Sequence, residues 1–259
     1  MAYKGEKTAR KISDVLRAVT GKERYKRTAC VIVAAGDSSR MQGQNKQFLK
    51  VGGMPVLART VCEFQNAPCI NEIVIVTKKE DIKTVIDMCE KYNCDKVIAV
   101  VAGGANRQES VWLGFCEISD DSEFVAIHDG ARCLVTSETI EKVCHEAYVY
   151  GAATAAHRVT DTVKRTGKNT YAEETLDRDK IWLANTPQVF SSNLYRAAAY
   201  TAKENHFFGT DDCSLVEYIG YSTVKLVECG KDNIKITVPD DVPLAEALLA
   251  LRKKKEKQL

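Results

Sequence analysis

The sequence predicts an α/β domain, a mostly parallel β-sheet with helices packed on both faces. Three observations carry this. Apolar, β-branched runs at 29–34, 73–77, 97–101 and 124–128 alternate with segments of helical period at 55–66, 80–91, 107–117 and 137–149. Runs of that kind suit strands covered on both sides. The chain is 259 residues long, with 45% apolar and 28% charged residues, which is enough for one large core.

Residues 1–27 are rich in Lys and Arg, interrupted by Glu6, Asp14 and Glu23. Ile12, Val15, Leu16 and Val19 have helical spacing, and Gly21 can end that helix. The stretch is neither acid-poor and Ser-rich, as a transit peptide is, nor does it hold the apolar core of a secretory signal. It reads as a short amphipathic helix resting on the domain or on a neighbour. The four strand–helix pairs follow. After Gly151 the rhythm changes. Residues from about 157 to 182 hold short β-like pieces around the turn Thr166-Gly167-Lys168-Asn169 and read as a hairpin arm, too polar to be buried on both faces. Helical period returns at 192–204 and 211–219, and a strand-like piece spans 222–228. Pro239-Asp240-Asp241 opens a last helix, whose basic end suits its C-terminal dipole. With no internal repeat and no long linker, the organisation is an extension (1–27), one domain (28–252) and a basic tail (253–259).

A net charge of +2 leaves no global field to draw in nucleic acid or a membrane, and no segment has the length of a membrane span. Any anion site must be a local cluster. The ten cysteines include no CxxC pair and no zinc spacing. Most, such as Cys30, Cys62, Cys116 and Cys144, lie in apolar runs and read as small reduced core residues of a cytoplasmic protein.

Ligands on parallel sheets bind beyond the carboxyl ends of the strands, so the residues just after each run carry the chemistry. The first such stretch is CVIVAAGDSSRMQGQNKQFL, Cys30 to Leu49. It lacks both GxGxxG and the Walker spacing. What remains is a loop of Gly36, Ser38 and Ser39 whose backbone N–H groups can approach an anion, with Arg40 to fork onto a phosphate and Lys46 to add a point charge. A solvated, charged loop has the same composition. The second stretch, GGANRQESVWLGF, sets Gly103-Gly104 after a strand and Ser110 in the first turns of a helix. It suits closure over a base or sugar, or a plain strand-to-helix turn. In the third, FVAIHDGARC, Asp129 follows a buried strand, where a carboxylate holds a ribose hydroxyl or a metal, and Arg132 is one turn away. His128 points to the opposite face and reads as structural. Trp112 and Trp182 read as packing residues. Asp211-Asp212 fits either a metal pair or a helix cap.

These motifs, AAGxxxRM, KQF, GGxxRxxSV, HDxAR, DTVK, DRxxIWxAxTPQxF, TDD and DNIKIT, occur in one order over roughly residues 28–250. Together they resemble the 2-C-methyl-D-erythritol 4-phosphate cytidylyltransferases of non-mevalonate isoprenoid synthesis. The resemblance implies a three-layer, Rossmann-like nucleotidyltransferase fold with a mixed, mostly parallel sheet and a protruding β-arm for dimerisation. It implies transfer of CMP from CTP to the 4-phosphate of methylerythritol, with release of pyrophosphate and with Mg²⁺ or another divalent cation held mainly by the CTP phosphates near Asp129. By motif, Arg40, Lys46, Lys235 and Asp129 are the catalytic set. Ala34, Ala35, Gly36, Gly104 and Ser110 would bind the nucleotide. Arg132, Thr162, Arg178, Thr186 and Thr210 would surround methylerythritol phosphate, with Thr162 and Arg178 serving the partner's site in a homodimer that exchanges arms.

The nucleophile is already an anionic phosphate oxygen, so the absence of a Ser-His-Asp arrangement is in keeping with this chemistry. Positioning and charge suffice. Ser38 stands where many relatives have a second glycine, and is expected to have an unstrained backbone. Gly130 and Cys133 replace an alanine and a proline, which is expected to loosen the loop that carries Arg132. Ala105 stands where an acidic residue is common. Outside the resemblance, Lys235 in NIKIT reads as an exposed strand residue, Arg178 with Asp177 as a surface ion pair, and Thr162 and Thr186 as ordinary β residues. Two alternatives remain: a cytidylyltransferase for another polyol phosphate, such as ribitol 5-phosphate, and a catalytically silent nucleotide binder on the same fold.

Overall fold

The computed structural model describes residues 25–41 and 43–256. The helix expected within residues 1–27 and the end of the basic tail lie outside that range. Strand β1 (Thr28–Val33) leads through a loop with a 3-10 turn (Ser39–Met41) to a small hairpin, β2 (Lys50–Val51) and β3 (Met54–Pro55). Helix α1 (Val56–Asn66), β4 (Glu72–Thr77), α2 (Ile82–Lys91), β5 (Val97–Ala102), α3 (Arg107–Phe115), β6 (Phe124–Asp129) and α4 (Ser137–Tyr150) then alternate. The second half holds β7 (Ala152–Arg158), the hairpin β8 (Lys164–Thr166) and β9 (Ala172–Thr175), β10 (Trp182–Ser191), α5 (Ser192–Glu204), α6 (Asp212–Ile219), β11 (Lys225–Glu228) and α7 (Asp241–Glu256).

Seven strands form one sheet in the order β11-β7-β10-β6-β1-β4-β5. All run parallel except β10, which is antiparallel to both β6 and β7. Successive residues of β1 enter opposite cores, as strand alternation requires. Cys30 and Ile32 pack with residues of α1, α2 and α4, while Ala29 and Val31 pack with α3, α5 and α6. A third cluster of Met41, Val51, Val56, Ala131, Leu134, Ile236 and Ala245 supports the loops at the carboxyl ends of the strands. Gly114 lets α3 press onto the sheet, since a Cβ there would meet Val76 and Val31 at 2.5 and 2.6 Å.

Several expectations need correction. The expected arm, about 157–182, overlaps the main sheet at both ends, where Arg158 of β7 pairs with Trp182 of β10, and the sequence reading did not single out β7 and β10 as sheet strands, with residues 185–190 buried. The signal is weak because β7 is alanine-rich, β10 contains Pro187 after a cis peptide, and its register shifts between Ala184 and Gln188. The arm itself is the exposed hairpin β8–β9. The segment around Lys235 is not a paired strand; Ile236 pins it by donating from its N–H to Ala131 O at 2.8 Å. β11 is shorter than the expected 222–228. All ten cysteines are free thiols, but Cys116 is exposed at the end of α3 rather than in the core. Among the described residues, no helix is long and apolar enough to cross a membrane.

Candidate active site

Backbone ladders of the parallel sheet continue one residue past the strand ends. Ala34 N–H donates to Val76 O, Gly103 N–H to Thr77 O and Gly130 N–H to Val33 O, at 2.7, 2.8 and 2.9 Å. This sets the three loops side by side. Between them lies a cleft of about 310 Å³. Ala35, Gly36, Lys46, Gly104, Ser110, Asp129 and Lys235 line it, as do Gln47, Asn106 and Arg107.

In the first loop, Ser38 has φ 53°, a left-handed conformation suited to glycine, so its backbone is not the unstrained one expected. Its Oγ accepts from Lys46 N–H at 3.4 Å, and Asn45 Oδ1 accepts from Gln47 N–H at 3.1 Å. Lys46 is half-buried. Burial, then the charge of Lys235, pulls its ammonium below the ordinary lysine pKa. Arg40 lies exposed on the 3-10 turn, close enough to add to that effect on Lys46. Neither cation has an ion-pair partner within 4 Å among the described residues.

In the second loop, Asn106 caps α3, accepting at Oδ1 from Glu109 N–H at 2.9 Å. Ser110 Oγ accepts from Gly104 N–H at 3.1 Å and donates to Asn106 O at 2.8 Å, so its hydroxyl shapes the loop. Glu109 accepts from Ala105 N–H at 2.7 Å. A carboxylate thus stands beside Ala105 although residue 105 itself is not acidic. Gly103 is required by close approach, because a Cβ would lie 2.4 Å from that of Ala35.

Asp129, at the end of β6, is the hub. Its Oδ2 meets Lys235 Nζ at 2.8 Å and Arg132 Nε at 3.4 Å, and its Oδ1 meets Arg107 Nε at 3.4 Å. Burial favours the neutral acid, but Lys235 and Arg107, then Arg132, outweigh it and hold the carboxyl well below the usual range. Arg132 also donates to Asn233 O at 2.8 Å, so the Gly130 and Cys133 replacements do not leave it loose. Cys133 is buried and burial raises its thiol pKa to about 11. His128 faces away from the cleft, fully buried against Phe64, and is structural as expected.

The structure does not gather every expected residue into the cleft. Ala34 is buried behind it. Thr186 is buried too, with its hydroxyl accepting from Asp129 N–H at 3.1 Å and paired with His128 Nδ1 at 3.0 Å. Thr210 is exposed before α6, and Thr162 and Arg178 are exposed on either flank of the β8–β9 hairpin, where Arg178 donates to Thr160 O at 3.0 Å. Asp211 caps α6, accepting from Ser214 N–H at 3.0 Å, and Asp212 is buried against Arg107 at 2.7 Å; they do not form a metal pair. Arg107 is the residue absent from the expected set. Its signal was available: a cation in the first turn of a helix opposes the macrodipole and so needs another reason to be there.

A cation-lined cleft beyond the carboxyl ends of a largely parallel sheet is the setting of a nucleotide-handling enzyme. Residues 28–251 match the family IspD, 2-C-methyl-D-erythritol 4-phosphate cytidylyltransferase. The enzyme of that description from Syntrophus aciditrophicus is 42% identical over 225 residues, covering 86% of this chain and 96% of its own. That from Caldanaerobacter subterraneus is 43% identical over 223 residues, covering 85% and 98%. Among solved structures, 4-diphosphocytidyl-2C-methyl-D-erythritol synthase from Anaerococcus prevotii superposes with a TM-score of 0.79 at 31% identity, covering 87% of this chain and 96% of that one. The chain belongs to the 2-C-methyl-D-erythritol 4-phosphate cytidylyltransferase family.

Proposed function

We infer that this cleft aligns CTP with 2-C-methyl-D-erythritol 4-phosphate for in-line displacement at the α-phosphorus. The reaction is transfer of CMP from CTP to the 4-phosphate, giving 4-diphosphocytidyl-2-C-methyl-D-erythritol and pyrophosphate. The observation that carries the residue-level reading is the charge pattern. Lys235, Arg107 and Arg132 converge on the Asp129 carboxylate, and Lys46 lines the same cleft without an ion-pair partner among the described residues, so positive charge is left over for two polyanions.

Arg40 and Lys46 clamp the triphosphate and offset charge that builds in the transition state. The loop after β1 lacks bulk, so Ala35 and Gly36 approach the nucleotide through their backbones. Ala34, Gly104 and Ser110 shape the base pocket. Lys235 leaves Asp129 to hold the incoming phosphate, with Arg132 behind it. Thr186 sets Asp129 by its backbone, and Thr210 flanks the acceptor side. Among the described residues, no cluster of three or more His, Cys, Asp or Glu could hold a metal. One buried carboxylate beside a phosphate site nevertheless suits Mg²⁺, a hard cation that takes most of its ligands from phosphate and water. When bound, Mg²⁺ supplies charge neutralisation between phosphate oxygens.

The catalytic domain is proposed as residues 28–252, acting in the cytoplasm as a homodimer in which Thr162 and Arg178 serve the partner's cleft. Two features support the arm's role. An isolated two-stranded hairpin is marginal in water, and Tyr171 at its tip is 77% exposed. The test is pyrophosphate release from CTP and Mg²⁺ with methylerythritol 4-phosphate, ribitol 5-phosphate or no acceptor. Release with the first acceptor alone is expected, and Lys46→Ala or Arg40→Ala should lower it on the order of hundredfold in folded protein. Wild-type activity in both variants would remove the phosphate-clamp reading.

A further inference from the structure

Gln188 of the TPQ motif and Asp211-Asp212 of the TDD motif remain without a role in the cleft. The structure joins them. Gln188 Oε1 accepts from Asp212 N–H at 3.0 Å and Cys213 N–H at 3.2 Å, and Gln188 Nε2 donates to Asp211 Oδ2 at 2.7 Å. The start of α6 is therefore clamped to β10, the strand whose Thr186 accepts from Asp129 N–H. The clamp delivers a fully buried carboxylate, Asp212, to Arg107 Nη1 at 2.7 Å. Asp212 Oδ1 also accepts from Tyr195 Oη at 3.2 Å. Burial favours the neutral form of Asp212, and Arg107 opposes this. The remaining edge of the same guanidinium, through Nε, reaches Asp129 Oδ1.

We propose that Arg107 is a positioning residue for cytidylyl transfer, fixing the Asp129 carboxylate from its Oδ1 side, and that Asp212 is the buried anchor that fixes Arg107. The two cations on Oδ2 cannot do this alone. In the proposed reaction Lys235, 2.8 Å from Oδ2 here, turns to the acceptor phosphate, and the single contact to Arg132 at 3.4 Å then leaves the carboxylate free to turn about its Cβ–Cγ bond. Arg107 is suited because a planar fork joins two carboxylates in a fixed geometry, which a lysine point charge does not. This makes TPQ and TDD parts of one device running from β10 through α6 and α3 to the end of β6. The inference rests on the reading of Asp129 as part of the transfer site.

The experiment compares the full-length wild type with Arg107→Gln, Arg107→Lys, Asp212→Asn and the double variant Arg107→Gln/Asp212→Asn. Each is characterised by kcat, by KM for CTP and acceptor, and by the stoichiometry and Kd of CTP binding from calorimetry. Arg107→Gln is expected to lower kcat about 100-fold, with both KM values, the Kd and the number of binding sites within about threefold of wild type, the pattern of an interaction made in the transition state. Arg107→Lys should recover about tenfold of that loss. Asp212→Asn should lower kcat in the same pattern, and the double variant should be no slower than Arg107→Gln, because the two residues act as one unit. If activity falls only in proportion to the count of CTP-binding sites, Arg107 supports the fold alone and the proposal is overturned. If the effects of the two single variants multiply in the double, Asp212 is not the anchor. No turnover by the wild type overturns the transfer reading and this inference with it, whereas wild-type turnover with unchanged Arg107→Gln kinetics overturns this inference alone.

Discussion

His128 and Asp129 are adjacent in β6, yet their surroundings shift their ionisation for different reasons. Asp129 stays charged because cations surround it. His128 stays neutral because burial, only partly offset by Asp129, lowers its pKa to about 3. Its ring instead bonds Thr186 Oγ1 and Arg132 O. The folded pKa lies below the unfolded value near 6.5, so between those limits the unfolded chain binds more protons and stability rises with pH. Acidification from pH 7 to 5 should therefore cost about 2 kcal/mol through this residue. Asp129 adds nothing in that window, since its contribution is lost only below the ordinary carboxylate range. Denaturant unfolding of wild type and His128→Asn at the two pH values checks this, and a wild-type slope that persists in the variant would assign the effect to other groups. Ser38 shows the limit of reading single residues: a serine reveals nothing of its φ until the loop is closed around Lys46.

At the scale of elements, α6 separates two readings that the sequence left open. Asp211 and Asp212 have the spacing of a metal pair and of a cap. The helix start decides, because Asp211 accepts from Ser214 N–H and Asp212 turns inward to Arg107. Asp211→Ala should cost about 1–2 kcal/mol in unfolding free energy, the usual loss for an N-cap. It should leave the Mg²⁺ concentration at half-maximal activity unchanged within about twofold, as the cap reading requires; a large shift there would favour the metal pair. The βα alternation of the first half was legible because its strands are β-branched and its helices are strongly periodic. The sheet strands of the second half were not. Of the β7 alanines, Ala153 and Ala155 share a core with residues of α4 and Ala152 lies in the opposite core, but alanine carries little strand signal, and Pro187 in β10 interrupts the pattern that normally marks a central strand. The cleft's loops were legible as strand ends and Arg107 left a local signal in the first turn of α3, whereas its partner Asp212 and the Gln188 clamp depend on contacts between elements far apart in sequence.

The molecule as a whole presents a complete cation cluster in one chain and an exposed hairpin well removed from it in sequence. Of the residues assigned to the acceptor, Thr162 and Arg178 are on that hairpin's flanks, and neither lines the cleft of its own chain. If the arm serves a partner, one protomer's catalytic loop and the other's arm make a single working site. Mixing two inactive variants tests this. Lys46→Ala keeps the arm and loses the phosphate clamp; Arg178→Ala keeps the clamp and loses the arm's cation. Each homodimer should be nearly inactive. After subunit exchange, a heterodimer holds one cleft with Lys46 of one chain and Arg178 of the other, and a second cleft that lacks both. For equal amounts mixed at random, half the dimers are of this kind, so activity should recover to about a quarter of wild type, as two-fold symmetric assembly dictates. Native mass spectrometry, with an affinity tag on one variant to separate the three dimers by mass, establishes that exchange has occurred. Exchange without recovery would place Arg178 at its own chain's cleft or outside the site altogether, and the arm would then be an assembly element without a part in acceptor recognition.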